Sequence, residues 1–294
     1  MTDARRGMLL VAAAAVCWST GGLIARLVST DAWTTTLWRC AFSATFLMLV
    51  GGLIGGGGVV AQWRRIGLPG VGVAACLAVA STSFVLSLSY TSVANTLILM
   101  SIGPYVAGVL GWLVLGERVP LRTWLTMAVA LAGVVVMVSD SYGRGRLTGD
   151  VLAIVMSSAF ALATVLVRRH PKIQMTPAAG LAAVFAALAV LPMASPLGAS
   201  SRDIGLLALF GIGQLGAGFL LFTRGARLIP VAEASLIGML EIVLGPLWVW
   251  LVLRENPGTP ALIGGGVILA ALVAHTLGEL RLGASAAPKP IEAG

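Results

Sequence analysis

Long apolar runs separated by short polar connections fill the chain. At about 20 residues per crossing of a bilayer, the runs fall near 7–26, 32–54, 67–89, 93–115, 121–139, 148–167, 176–196, 203–223, 231–253 and 260–280. The connections contain Leu68-Pro69-Gly70, Val119-Pro120, His170-Pro171 and Asn256-Pro257-Gly258, where proline starts or stops a helix without breaking its interior. This pattern predicts an all-α integral membrane protein of ten transmembrane helices with no soluble domain. Met8 to Ala25 is followed by Arg26 and a further apolar run, so it reads as a first span and not as a cleaved leader. Residues 283–294 are too polar to pack and are predicted to form a disordered cytoplasmic tail.

Composition supports this reading: 58% of the residues are hydrophobic and 10% charged, against about a quarter charged in a soluble domain. The net charge of +8 sits in short clusters between the runs and not on one polar segment, which argues against a nucleic-acid partner. With the N-terminus inside, alternate connections hold Arg5, Arg6, Arg64, Arg65, Arg118, Arg122, Arg168, Arg169, Lys172, Arg224, Arg227, Arg281 and Lys289, thirteen of the nineteen Lys and Arg residues. The other side holds Arg26, Arg144, Arg146, Arg202 and Arg254, and Arg39 lies within a span. By the positive-inside rule both termini are expected in the cytoplasm, with the protein in the cell inner membrane. Cys17, Cys40 and Cys76 lie inside apolar runs without metal-ligand spacing, so neither a metal nor a cofactor is expected.

Shifting the sequence by 138 positions lays Val93-Ala94 on Val231-Ala232 and Trp112-Leu113-x-Leu115-x-Glu117 on Trp250-Leu251-x-Leu253-x-Glu255. The same shift puts Ser19 on Ser157, Ala25 on Ala163, Phe84 on Phe222 and Leu131 on Leu269. Two five-helix repeats follow, over 7–139 and 148–280. Because five is odd, the second repeat crosses the membrane in the opposite direction. Two inverted halves supply two states of similar energy around a midplane site, as secondary transporters require.

Trp18-Ser19-Thr20, Arg39, Pro104 with Gly111 to Glu117, and Leu240-Glu241 with Trp250 to Glu255 resemble the drug/metabolite transporter superfamily in its ten-span form with two EamA-type domains. The second copy departs from the usual pattern at Ile242, where proline commonly follows the acid, and at Arg254, where glycine precedes the terminal Glu. Trp18-Ser19-Thr20 is also similar to the YddG-like amino-acid exporters. That resemblance implies efflux of aromatic and other neutral amino acids; the direction of transport rests on it alone.

Counting inward at about 1.5 Å per residue puts Trp18, Ser19, Pro104, Ser157, Gln214 and Glu241 near the midplane. Polar groups at that depth should face the bundle interior or a wet cavity, although Ser and Gln equally stitch helices together. A central carboxylate is the costliest of these. Glu241 is therefore expected either to receive a substrate ammonium, to exchange a proton that couples efflux to the gradient, or to serve as a buried structural acid. Arg39, about 10 Å below the outer surface, is a candidate for the substrate carboxylate or for pairing with Glu241, with a structural role at the rim as the alternative. Tyr105 and Phe160 join Trp18 as aromatic candidates for the cavity wall; Trp33, Trp38, Trp63, Trp124, Trp248 and Trp250 are expected in the interfacial belts. Ser83 and Ser87, one turn apart, give the third span a small polar face. Gly103-Pro104 is expected to loosen the fourth span at mid-membrane, with Ile242 making the ninth span different there.

The expected partners are a small organic substrate, membrane lipid and protons, with the chain acting as a monomer. An enzyme is excluded by the absence of paired carboxylates, of HExxH and of any His besides His170 and His275. No P-loop is present to draw on ATP. A membrane channel remains as a rival class, but nothing resembles a charged ring or a carbonyl filter. Among carriers, cationic drugs and other metabolites remain as alternative cargo.

Overall fold

The computed structural model describes residues 3–55, 58–91, 93–139, 147–254 and 258–281. The tail at 283–294, and Arg144, Arg146, Glu255 and Lys289, lie outside the described residues. The described elements are helical throughout, as a chain in hydrocarbon must be to satisfy its backbone within each segment. They are α1 (Asp3–Leu27), α2 (Ala32–Leu53), α3 (Val59–Tyr90), α4 (Thr96–Leu115), α5 (Leu121–Met137), α6 (Leu147–Arg169), α7 (Thr176–Met193), α8 (Ser201–Gly225), α9 (Val231–Leu253) and α10 (Thr259–Gly278). Nine of them are long and apolar enough to span a membrane; α5 is the shorter apolar helix. At 17 residues α5 still reaches the lower end of the spanning range.

Helix α3 begins earlier than the apolar run. A short segment from Val59 precedes a kink at Gly67 (φ 55°), and Pro69 then opens the spanning part. Periodicity treats this segment as a loop because it is brief and contains Arg64-Arg65.

The packing repeats across the two halves. Helix α1 packs on α8 as α6 packs on α3, α1 on α9 as α6 on α4, and α2 on α8 as α7 on α3, while α2·α7, α4·α9 and α5·α10 each map onto themselves. The backbone shows the same register. Gly116 ends α4 in the left-handed region (φ 68°, ψ 13°) with its N–H bonded to the Trp112 carbonyl, and Arg254, 138 positions on, ends α9 in that conformation (φ 58°, ψ 19°). Glycine is the ordinary residue for such a cap, so Arg254 holds a backbone state that its Cβ disfavours.

Both α4 and α9 break at mid-length. Around Ser101-Ile102 the amides reach back three residues instead of four, as in Ile102 N–H to Leu99 O (3.3 Å) and Tyr105 N–H to Ile102 O (3.0 Å). In α9 the same occurs at Met239, whose N–H reaches Leu236 O (3.1 Å), and at Ile242, whose N–H reaches Met239 O (3.0 Å). The ninth span thus breaks without a proline at Ile242, contrary to the asymmetry expected there. Helix α8 holds a π-helical stretch over Phe210–Gly216, an irregularity that often accompanies function.

The core follows the same layout. The larger cluster joins α1, α2, α3, α6, α7, α8 and the start of α9 through residues such as Val11, Leu47, Leu77, Ala179, Phe222 and Ile237; a second joins α5, α9 and α10 through Met127, Leu236 and Ile268. Leu53, Leu113 and Leu209 point outward and are exposed, as lipid-facing residues are.

Candidate functional site

The breaks in α4 and α9, the π-helical stretch of α8, and α1, α2, α3 and α6 surround one central cavity. Its lining has the symmetry of the repeat. Trp18 and Met156, Ser81 and Phe219, Met100 and Gly238, Gly103 and Glu241, and Pro104 and Ile242 are all wall residues separated by 138 positions. The pseudo-axis therefore passes through the cavity, and chemistry breaks the symmetry: Glu241 occupies the position that glycine holds in the first half.

The aromatic wall centres on Trp18. Its ring meets Phe160 and Phe219 edge-on at 5.5 and 6.0 Å and lies 5.2 Å from Phe222, which in turn packs 4.8 Å from Phe160. Such pairs stabilise beyond the area they bury, by ~0.5–1.5 kcal/mol each. Gly218 in α8 admits the Trp18 indole so closely that a Cβ there would overlap Nε1.

Two charged side chains reach the cavity from different helices. Arg39, in α2, is 3% exposed. Its guanidinium carbon lies 4.7 Å from the Phe210 ring centroid, and its Nε and Nη1 have no hydrogen-bond partner among the described residues. Glu241, in α9, lines the same cavity. Among the described residues no hydrogen bond or ion pair joins the two. A buried guanidinium with no hydrogen-bonded carboxylate among the described residues is costly. Gln214 donates from Nε2 to the Trp18 carbonyl (3.1 Å), and its buried Oε1 and the Ser235 hydroxyl have no hydrogen-bond partner among the described residues. The cavity thus gathers a cation, a carboxylate, an amide oxygen and a hydroxyl against an aromatic wall.

At the end of the bundle where α1 begins, here termed the basic face, a tie joins the two halves. Glu117, just past α4, accepts from Arg168 Nε of α6 (2.9 Å) through Oε1 and from the Val231 N–H of α9 (3.1 Å) through Oε2. Arg168 also donates to the Arg227 carbonyl at 2.7 Å. An apolar layer of Ala107, Ala161, Val165 and Val231 packs next to this tie, and Ala161 also lines the cavity. At the opposite face Asp203 accepts from the Ser29 N–H (3.0 Å) and hydroxyl (2.7 Å) and from the Ser200 hydroxyl (2.6 Å), while Thr91 donates to Asp150 at 2.7 Å.

A profile of the EamA-like transporter family matches residues 5–139 and 147–276. The chain belongs to the EamA-like transporter family. It is a transporter and not an enzyme, and a multi-pass integral membrane protein. A Bacillus subtilis (strain 168) protein described as the uncharacterized transporter YwfM is 30% identical over 249 residues, covering 79% of this chain and 81% of that one. A crystal structure aligns with a TM-score of 0.77 over 92% of this chain and 97% of its own at 17% identity, which bears on the fold alone.

Of the residues singled out from sequence, this EamA-like transporter brings Trp18, Arg39, Pro104, Ser157, Phe160, Gln214 and Glu241 together in the cavity wall. Ser19, Ser83 and Tyr105 lie outside it. The Ser19 hydroxyl donates to Val16 O (2.7 Å) and accepts from Trp248 Nε1 (2.8 Å), so Trp248 serves an interhelical bond as well as a place near the span end. Ser83 is buried at 5% exposure, and the Tyr105 ring lies 5.8 Å from Trp124. Ser157 directs its hydroxyl toward the carbonyls of Leu99 and Met100 (3.3 and 3.5 Å), beside the break in α4. Sequence reasoning missed Phe84, Phe219, Ser235 and Met239 as wall residues. Shifting the residues already chosen by 138 in either direction finds Met156 from Trp18 and Gly103 from Glu241, but reaches none of these four.

Proposed function

We propose that this transporter exports amino acids, aromatic and other neutral ones, by alternating access around the central cavity. The observation carrying this reading is that Arg39 and Glu241 line one cavity without pairing with each other. A zwitterion satisfies both: its carboxylate takes the guanidinium, and its ammonium takes Glu241 with Gln214 Oε1. The Trp18, Phe84, Phe160 and Phe219 wall accommodates a flat or apolar side chain. A cargo bearing only a positive charge leaves Arg39 unmatched, which weighs against cationic drugs.

In this reading the two repeats, 7–139 and 148–280, rock against each other, and the broken helices α4 and α9 supply the moving gate segments. The same reading has the protein in the cell inner membrane as a monomer, and the distribution of Lys and Arg supports placing the basic face and both termini in the cytoplasm. Glu241 also exchanges the proton that couples efflux to the gradient.

The test is a substrate panel on purified protein in liposomes, with and without an imposed pH gradient. Amino acids should show saturable, countertransport-stimulated flux that responds to the gradient in the native protein and not in Glu241→Gln. Flux of cationic drugs alone, or flux that does not saturate, contradicts the proposal.

A further inference from the structure

A second cavity opens on the basic face, apart from the central one. It lies where the short opening segment of α3 approaches the α6–α7 connection and the end of α8. Three cations from three elements line it, Arg65, Lys172 and Arg224, interspersed with Gln62, Gln174 and Thr176, and no Asp or Glu is among its described lining residues. The positive-inside rule accounts for basic residues in these connections. It does not require them to converge on one cavity.

Cations with amide and hydroxyl donors interspersed match the oxygens of a phosphate. The surroundings distinguish a lipid phosphate from a free one. The α3 segment turns Gln62 and Ile66 inward, at 4% and 1% exposure, while Val60 is 61% exposed and Leu68, just past the kink, 86%. A short helix with basic residues and an exposed apolar edge belongs at the boundary between headgroups and hydrocarbon. We infer that this cavity binds the phosphate headgroup of an anionic phospholipid, with Arg65, Lys172 and Arg224 supplying the charge and the acyl chains remaining in the bilayer. Basic pockets between spans hold acidic headgroups in this way.

The experiment uses the full chain in detergent, offered an equimolar mixture of phosphatidylglycerol and phosphatidylcholine and read by native mass spectrometry. Separate arms measure the thermal midpoint with phosphatidylglycerol, inorganic phosphate or glycerol phosphate. Phosphatidylglycerol should be retained preferentially, with selectivity falling about fivefold for each of Arg65→Gln, Lys172→Gln and Arg224→Gln. It should hold in Arg64→Gln, which removes an exposed charge from the same segment outside the cavity. Where a variant does not fold, the exposed Lys172 still allows Lys172→Gln, which should lose selectivity, beside Arg224→Lys, which should keep it. Equal retention of the two lipids overturns the inference, as does an equal loss in Arg64→Gln. A midpoint raised as much by inorganic phosphate or glycerol phosphate as by phosphatidylglycerol also overturns it, because the occupant is then a soluble anion.

Discussion

Replacing Glu117 by Gln should release the basic face. The Glu117 carboxylate makes two charge-assisted contacts, 2.9 Å to Arg168 and 3.1 Å to the Val231 N–H. The Arg168 and Glu117 side chains are 11% and 19% exposed, so water screens the pair less than a surface bridge. Each hydrogen bond to a charged group is worth ~1.5–3 kcal/mol, and a neutral one about 1. Gln keeps a single amide oxygen and therefore one neutral bond. Val231 also opens α9, where a negative charge is favoured by ~0.3–1 kcal/mol. The net loss is at least about 2 kcal/mol, a shift of at least about 30-fold toward the state in which α4, α6 and α9 part at this face, provided that state lacks the tie.

Labelling a cavity cysteine reads this out. With Cys17, Cys40 and Cys76 replaced by Ala and Ser157→Cys introduced, an impermeant maleimide is added from the basic-face side of vesicles. The labelling rate should rise by at least tenfold in Glu117→Gln. Arg168→Gln should raise it as well, and the double variant should exceed the larger single effect by much less than the product, because both remove one interaction. Fully multiplicative effects, or faster labelling only from the opposite side, refute the reasoning.

Two further predictions concern the ends of helices. Arg254→Gly should stabilise the protein by ~1 kcal/mol, seen as a raised thermal midpoint, because it relieves a left-handed backbone at an exposed side chain; the change at Gly116 to Ala should have the opposite sign. Asp31 caps α2 by accepting from the N–H groups of Trp33 (2.8 Å) and Thr34 (3.1 Å), and from the Thr34 hydroxyl. Burial pushes its carboxyl up, but the bonds from Thr34 and Trp33 outweigh this and hold it below the ordinary 3.8. Asp31→Ala should therefore cost ~1 kcal/mol at neutral pH. The gap between the two proteins should be full above the unfolded carboxyl's pKa and close as pH falls through the lowered folded value, as thermal midpoints against pH will show.

Depth along each span was readable from sequence, and direction around each helix was not. Trp18 and Ser19 share a depth but lie about 100° apart around α1. Trp18 turns to the cavity, while Ser19 turns to Trp248. Pro104 and Tyr105 divide in the same way. The repeat was legible through the Trp and Glu pairs, and its reach extends to Arg254, whose backbone follows the glycine it replaces. The break at Met239 was hidden because a helix can tighten for one turn without proline. The π-helical stretch of α8 left no signal beyond its glycines, although Gln214 within it was found by polarity. The α3 segment was obscured for another reason: it carries adjacent arginines and is far shorter than a span.

The central claim is that the cavity recognises both ends of a zwitterion. Counterflow of labelled phenylalanine in proteoliposomes, challenged in turn by unlabelled phenylalanine, phenethylamine and 3-phenylpropionate, tests it most directly. Phenylalanine should compete strongly and each single-charge analogue weakly, with Arg39→Lys and Glu241→Gln both impairing the exchange. Equal competition by phenethylamine, together with unimpaired exchange in Arg39→Lys, would contradict the account.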